Sequence, residues 1–136
     1  MQKIFADTDV VLDILTGRQP HYQFAARLFS LAERKEIRIY LCALSIVNID
    51  YILRRQKSAN FSRAVLKNLT GLTSILPVNH ETIDKALASG FTDFEDAVQY
   101  HCALQNDLKI LITRNLKDYK KAQISVLTPQ QFLASL

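Results

Sequence analysis

The chain is expected to fold as an α/β domain, with a mostly parallel central sheet of about five strands covered by helices on both faces. Three features of the sequence lead there. Short apolar runs at residues 4–6, 37–42, 74–78, 109–113 and 125–127 have the length of buried strands. The segments between them repeat apolar residues at helical spacing. The resulting order, β-α-β-α-α-β-α-α-β-β-α, calls for the right-handed crossovers that join parallel strands.

Ile4, Phe5 and Ala6 form the opening strand, after which Asp9 is placed to cap a helix through Val10, Leu12 and Ile14 that stops at Gly17. From His21, a residue expected at the surface, Phe24, Ala25, Leu28, Phe29, Leu31 and Ala32 mark a sheet-covering helix. Ile37–Cys42 is the second strand, and Ser45 begins a helix carrying Ile46, Val47, Ile49, Ile52 and Leu53. Asn48 lies in line with Ser45 and Ile52 and faces either the strand end or solvent, whereas Asp50 points elsewhere. Ser58-Ala59-Asn60 introduces a helix closing near Gly71, and Ser74–Val78 is a third strand whose Pro77 suits an end or an edge.

Asn79 or Thr82 caps the next helix, which ends at Ser89-Gly90. Phe91-Thr92 leads into a long helix with an acidic start. Lys109–Thr113 is the fourth strand, Arg114–Tyr119 its carboxyl-end loop, and Ser125–Leu127 the last strand. Thr128-Pro129-Gln130-Gln131 reads as a capping box with proline at the first position of a terminal helix.

At 136 residues the chain is one domain, residues 1–136, without internal repeats or linkers. No apolar run approaches the ~20 residues of a membrane span, and Met1-Gln2-Lys3 leads straight into strand, so a cytoplasmic protein is expected. Cys42 and Cys102 have no metal-ligand spacing and are expected as buried free thiols. A net charge of +4 is a mild basic excess that suits a polyanionic partner.

Two acidic clusters stand at strand–helix edges, Asp7-Thr8-Asp9 and Asp93-Phe94-Glu95-Asp96. Short polar residues there also serve as helix caps. Asp93 and Asp96, three apart on one turn, share a face near the partly positive helix N-terminus, with Glu95 directed away. If Asp7, Asp96 and Asp118 meet at the sheet edge, their repulsion calls for a hard divalent cation, Mg²⁺ or Mn²⁺, because the donors are oxygens. Such an ion lowers the pKa of bound water and neutralises a phosphate oxygen, the chemistry of phosphodiester hydrolysis. Arg18, Arg54, Arg55, Arg114, Lys117, Lys120 and Lys121 are candidate phosphate contacts, or a solvated face.

With these motifs in their order, the chain resembles the PIN-domain family of small Mg²⁺- or Mn²⁺-dependent ribonucleases, many of them toxins of bacterial toxin–antitoxin pairs. The resemblance rests on Asp7–Asp13, on Leu44–Arg55, on Asp93–Ala97, and on Thr113–Tyr119 ahead of Thr128-Pro129. It implies a three-layer α/β/α fold and a metal site using Asp7, Asp96 and the additional acid Asp93. Asn48 stands where most members carry a glutamate and Asn115 where many carry the last aspartate. Asp118 and Thr113, from the same loop as Asn115, supply a carboxylate and a hydroxyl. The resemblance further implies RNA as substrate, a cognate antitoxin that masks the acidic edge, and a homodimer.

Loss of the glutamate keeps a second reading open, a degenerate PIN domain that binds RNA or protein without cutting. The opening Asp7-Thr8-Asp9 also resembles the nucleophile motif of haloacid-dehalogenase-type phosphatases, although Thr113 then follows the acidic pair instead of preceding it.

Overall fold

Side-chain alternation along β1 (Gln2–Ala6) sets up the layers. Ile4 and Ala6 point into one core and Phe5 into the other, and all three are fully buried. The computed structural model describes residues 1–136. After β1 come α1 (Thr8–Thr16), α2 (Tyr22–Glu33), β2 (Ile37–Cys42), α3 (Ala43–Gln56), α4 (Ala59–Leu72) and β3 (Ser74–Leu76). Then follow α5 (His80–Ala88), α6 (Phe94–Gln105), β4 (Ile110–Ile112), a 3₁₀ turn (Leu116–Tyr119), β5 (Ser125–Leu127) and α7 (Pro129–Ala134).

The sheet has five strands in the order β3-β2-β1-β4-β5, all parallel. Apolar residues of α1, α2, α3, α4 and α7 fill the core on one face, among them Val10, Leu28, Ile49, Leu53 and Phe132. Those of α5 and α6 fill the other, with Ala86, Val98 and Ala103. The three-layer α/β/α architecture expected from the alternation is the one observed. Cys42 and Cys102 are free and buried in the second core, as small apolar residues. No helix is long and apolar enough to cross a membrane.

Several boundaries differ from the sequence reading, each for a local reason. Asp7, not Asp9, is the cap of α1, because its extended backbone (φ −63°, ψ 150°) lets its carboxylate accept the Asp9 N–H. Asp93 likewise lies outside α6 as its cap, accepting the Asp96 N–H at 3.0 Å, so the two aspartates do not line one helical wall. β3 stops at Leu76 because Pro77 has no N–H to continue the ladder. Thr128 and Gln131 form the expected capping box, with Pro129 at the first turn.

The topology fixes where a ligand can sit. From β1 the chain builds outward through β2 and β3, then returns to add β4 and β5 on the other side. Neighbouring strands β1 and β4 therefore lead their connections away in opposite directions, opening a crevice at their carboxyl ends. Ala6 pairs with Ile112, so the next residues, Asp7 and Thr113, face each other across that crevice.

Candidate active site

Asp7 is the centre of the crevice. It is 3% exposed, and its carboxylate accepts hydrogen bonds from four groups. Thr113 Oγ1 (2.9 Å) and the Tyr119 hydroxyl (3.1 Å) donate to Oδ2, while Gln99 Nε2 (3.2 Å) and the Asp9 N–H (3.3 Å) donate to Oδ1. Burial raises its pKa, and Asp9 adds to the rise, while the donors oppose it. A carboxylate this enclosed, with two donors on each oxygen, is built into the frame.

Gln99 is the brace behind it. From the buried face of α6 its carbonyl oxygen accepts the Thr8 N–H (3.1 Å) and the hydroxyls of Thr8 (3.2 Å) and Ser45 (3.3 Å), while its amide nitrogen reaches Asp7. The Thr8 and Ser45 hydroxyl oxygens lie 2.6 Å apart, so one hydroxyl donates to the other and the second to Gln99. One side chain thus ties α1, α3 and α6 together beneath the site.

Above Asp7 lies Asp96. The Tyr119 hydroxyl, itself buried, bridges Asp7 Oδ2 and Asp96 Oδ1 (3.4 Å), which places the two carboxylates around one oxygen atom. Burial, then Asp7, Asp93, Asp118 and Glu95, push the Asp96 carboxyl up to about 7. Burial and the surrounding acids push the Tyr119 phenol up as well, so it stays a donor.

Glu95 does not point away, in contrast to the expectation from helical phase. It is half-buried and accepts a hydrogen bond from the Asn48 side-chain amide, and burial followed by Asp7, Asp93 and Asp9 raises its pKa. Asn48 therefore faces the site and not solvent. Asn115 donates from Nδ2 to Asp9 at 2.9 Å, and its N–H bonds to Thr113 Oγ1 at 3.1 Å. Asp118 is exposed; it adds charge near Asp96, and its carboxylate forms no hydrogen bond. The sheet edge thus gathers Asp7, Asp96, Glu95, Asp9 and Asp93, with Asp118 on its rim.

The proposed phosphate contacts separate into two groups. Arg54 pairs with Asp50 on its own helix (2.9 Å), and Arg55 lies over the Tyr51 ring and donates to its hydroxyl (2.7 Å). Arg114 is turned inward, 2.8 Å from Asp13, with Arg18 also close enough to favour the Asp13 charge. The Arg114–Asp13 attraction is coulombic, not a well-directed hydrogen bond: Arg114 Nε has no partner at a good angle, and Asp13 Oδ1 has none at all. Lys117 remains exposed beside Asp118.

No three carboxylate, imidazole or thiol side chains form a closed metal cage. The donor set nevertheless fits Mg²⁺ or Mn²⁺, which are held by one or two carboxylates and keep several waters. Asp7 and Asp96 are the two carboxylates of the donor set, and burial first, then the neighbouring acids, raise both. Soft-metal ligands are absent from the cluster.

Gln99 and Tyr119 were not singled out in the sequence as site residues. Gln99 stands three positions after Asp96 and so lies on the same helical face, which is the signal that was available. Tyr119 closes the Thr113–Tyr119 stretch that carries the resemblance, but its role depends on the 3₁₀ turn that carries it inward.

The sequence model of the PIN domain matches residues 3–117. No curated protein matches by sequence. Among solved structures, the DNA-bound VapBC of Salmonella typhimurium superposes with a TM-score of 0.71 at 16% identity, over 95% of this chain and 99% of that chain. FitAcB of Neisseria gonorrhoeae gives 0.67 at 21% identity, over 93% and 98%. VapC20 of Mycobacterium tuberculosis, described as a sarcin–ricin loop cleaving toxin, gives 0.63 at 16% identity, over 79% and 86%. These likenesses establish a shared fold, and with the family match over most of its length the chain belongs to the PIN-domain family.

Proposed function

We propose that the protein is a Mg²⁺- or Mn²⁺-dependent endoribonuclease, the toxin of a toxin–antitoxin pair, cleaving RNA phosphodiester bonds at the carboxyl edge of β1 and β4. The carrying observation is that Asp7 and Asp96 converge on one hydroxyl at the switch point of the sheet. Family membership and the described activity of VapC20 support the same chemistry. The DNA-bound VapBC and a toxin–antitoxin complex from Klebsiella pneumoniae, which is also similar in fold, support an antitoxin as partner, and the homodimer belongs to the same reading.

Asp7 and Asp96 hold the cation, with Asp118 and Asp93 enlarging the field that attracts it. When bound, the ion supplies a water of lowered pKa and neutralises a phosphate oxygen. Gln99 and Thr113 keep Asp7 in one rotamer, and Asn115 holds Asp9 and the β4 loop against the start of α1. Glu95 replaces the charge missing at Asn48: the amide of Asn48 holds the Glu95 carboxylate toward the cluster, so the negative charge reaches the site from α6 instead of α3. That exchange favours an active enzyme over a degenerate binder. A phosphatase nucleophile at Asp7 fits less well, since Thr113, the candidate hydroxyl at a strand end, follows the acidic pair in the chain.

The test combines calorimetric titration with Mn²⁺ and cleavage of a single-stranded RNA. Wild type should bind and cut, Asp96→Asn should lose both, and Glu95→Gln should lose about 10–100-fold in affinity or rate. Equal RNA cleavage by wild type and Asp96→Asn would overturn the assignment.

A further inference from the structure

We propose that single-stranded RNA leaves the acidic edge through one groove, over the corner at Gly90-Phe91 between α5 and α6, with its phosphates on Lys117, Lys120, Lys121 and Lys85. This rests on the ribonuclease reading and adds the course of the strand.

The first support is which cations are free. Arg54, Arg55 and Arg114 are engaged within the chain. Lys117, Lys120 and Lys121 are exposed and form no ion pair. Lys85 pairs with Glu81 at 3.1 Å, but both side chains are more than half exposed. Such a pair contributes little and exchanges readily for a phosphate.

The second is continuity. One cleft of about 180 Å³ is lined by Lys117, Asp118 and Lys120, and Asp118 is near enough to Asp96 to raise its carboxyl. A second, of about 360 Å³, continues to Lys85 and His101. Gly90, Phe91 and Lys121 line both, so the two clefts adjoin along one face. Because position 90 has no side chain, the Lys121 side chain lies directly across the backbone there. Narrow clefts with a basic rim suit an unpaired strand, not a duplex.

The third is rigidity. The Phe91 ring stacks on Tyr100 (5.1 Å, 25°) and meets the edge of Tyr119 (5.9 Å). The segment bearing Lys120 and Lys121 is held at both ends, by Ala122 N–H on the Tyr119 carbonyl (3.0 Å) and Gln123 N–H on the Tyr100 hydroxyl (2.9 Å). Corner, α6 and lysine segment therefore form one packed unit with the Tyr119 that bridges the two aspartates. The polyanion gains lysine contacts immediately beyond a site whose own acids repel it.

The test is the anisotropy of a fluorescein-labelled single-stranded oligoribonucleotide in EDTA, where cleavage is silent, across a salt series. K85Q/K120Q/K121Q should bind about 10-fold more weakly or worse, and its slope of log affinity on log salt should fall by about 2. K3Q/K35Q/K67Q, which removes the same charge elsewhere, should change the slope by less than about 0.5. An unchanged slope in the first variant, or an equal loss in the second, would overturn the path. Wild-type cleavage in Mn²⁺, measured in parallel, separates the two readings: cutting with an unaltered slope removes only the groove, while neither binding nor cutting removes both.

Discussion

Replacing Asp96 with asparagine should stabilise the metal-free protein at alkaline pH while destroying its metal site. Asparagine has the shape of aspartate, keeps an oxygen for the Tyr119 hydroxyl, and leaves the backbone bond from Asp96 to Asp93 untouched. The charge alone disappears. A rise of the carboxyl from 3.8 to about 7 is worth about 4 kcal/mol at face value. Asp96 is only half-buried, so solvent screening reduces this to about 1–2 kcal/mol. The folded state holds the proton more tightly than the unfolded chain. Destabilisation is therefore absent below about pH 4, grows as pH rises toward 7, and is complete above it. Urea unfolding in EDTA should show the variant about 1–2 kcal/mol more stable at pH 8, with the gap narrowing at pH 5. Mn²⁺ at 100 times its dissociation constant adds about 2.7 kcal/mol to wild type alone and reverses the order. A variant no more stable than wild type at pH 8, or a gap that persists unchanged at pH 5, would refute the electrostatic account of the site.

Gln99→Leu preserves volume but strips the shared acceptor from the Thr8 N–H and two hydroxyls, and a donor from Asp7; it should cost about 2–4 kcal/mol in urea unfolding, more than Asn115→Ala, which loses one half-exposed bond. Arg114→Met leaves Asp13, 1% exposed, without its nearest countercharge and should cost about 1–3 kcal/mol at pH 8. Because the Asp13 carboxyl is already raised by burial, that loss should shrink at pH 5 as the group takes up a proton, and Asp13→Asn in the same chain should relieve most of it.

What could be read from the sequence divides along a physical line. Apolar runs and caps are local, so the strands, the two acidic turns and the capping box at Thr128 were visible, whereas the order drawn from them put one helix between the first two strands where α1 and α2 both stand. So was the position of Asp7, since a strand that ends in an acid at the start of a helix has few other places to put it. Partner choice is non-local. Arg114 looked available as a type of residue, and only the folded chain brings the distant Asp13 against it. Glu95 was directed outward because helical phase was counted from Asp96, yet the first turn of α6 faces the crevice broadly enough that both carboxylates are half-buried there. On the proposed function, that breadth lets Glu95 supply the charge absent at position 48. A charge delivered by α3 and one delivered by the first turn of α6 enter the same small volume, and the electrostatic field registers the charge without regard to the helix that carries it.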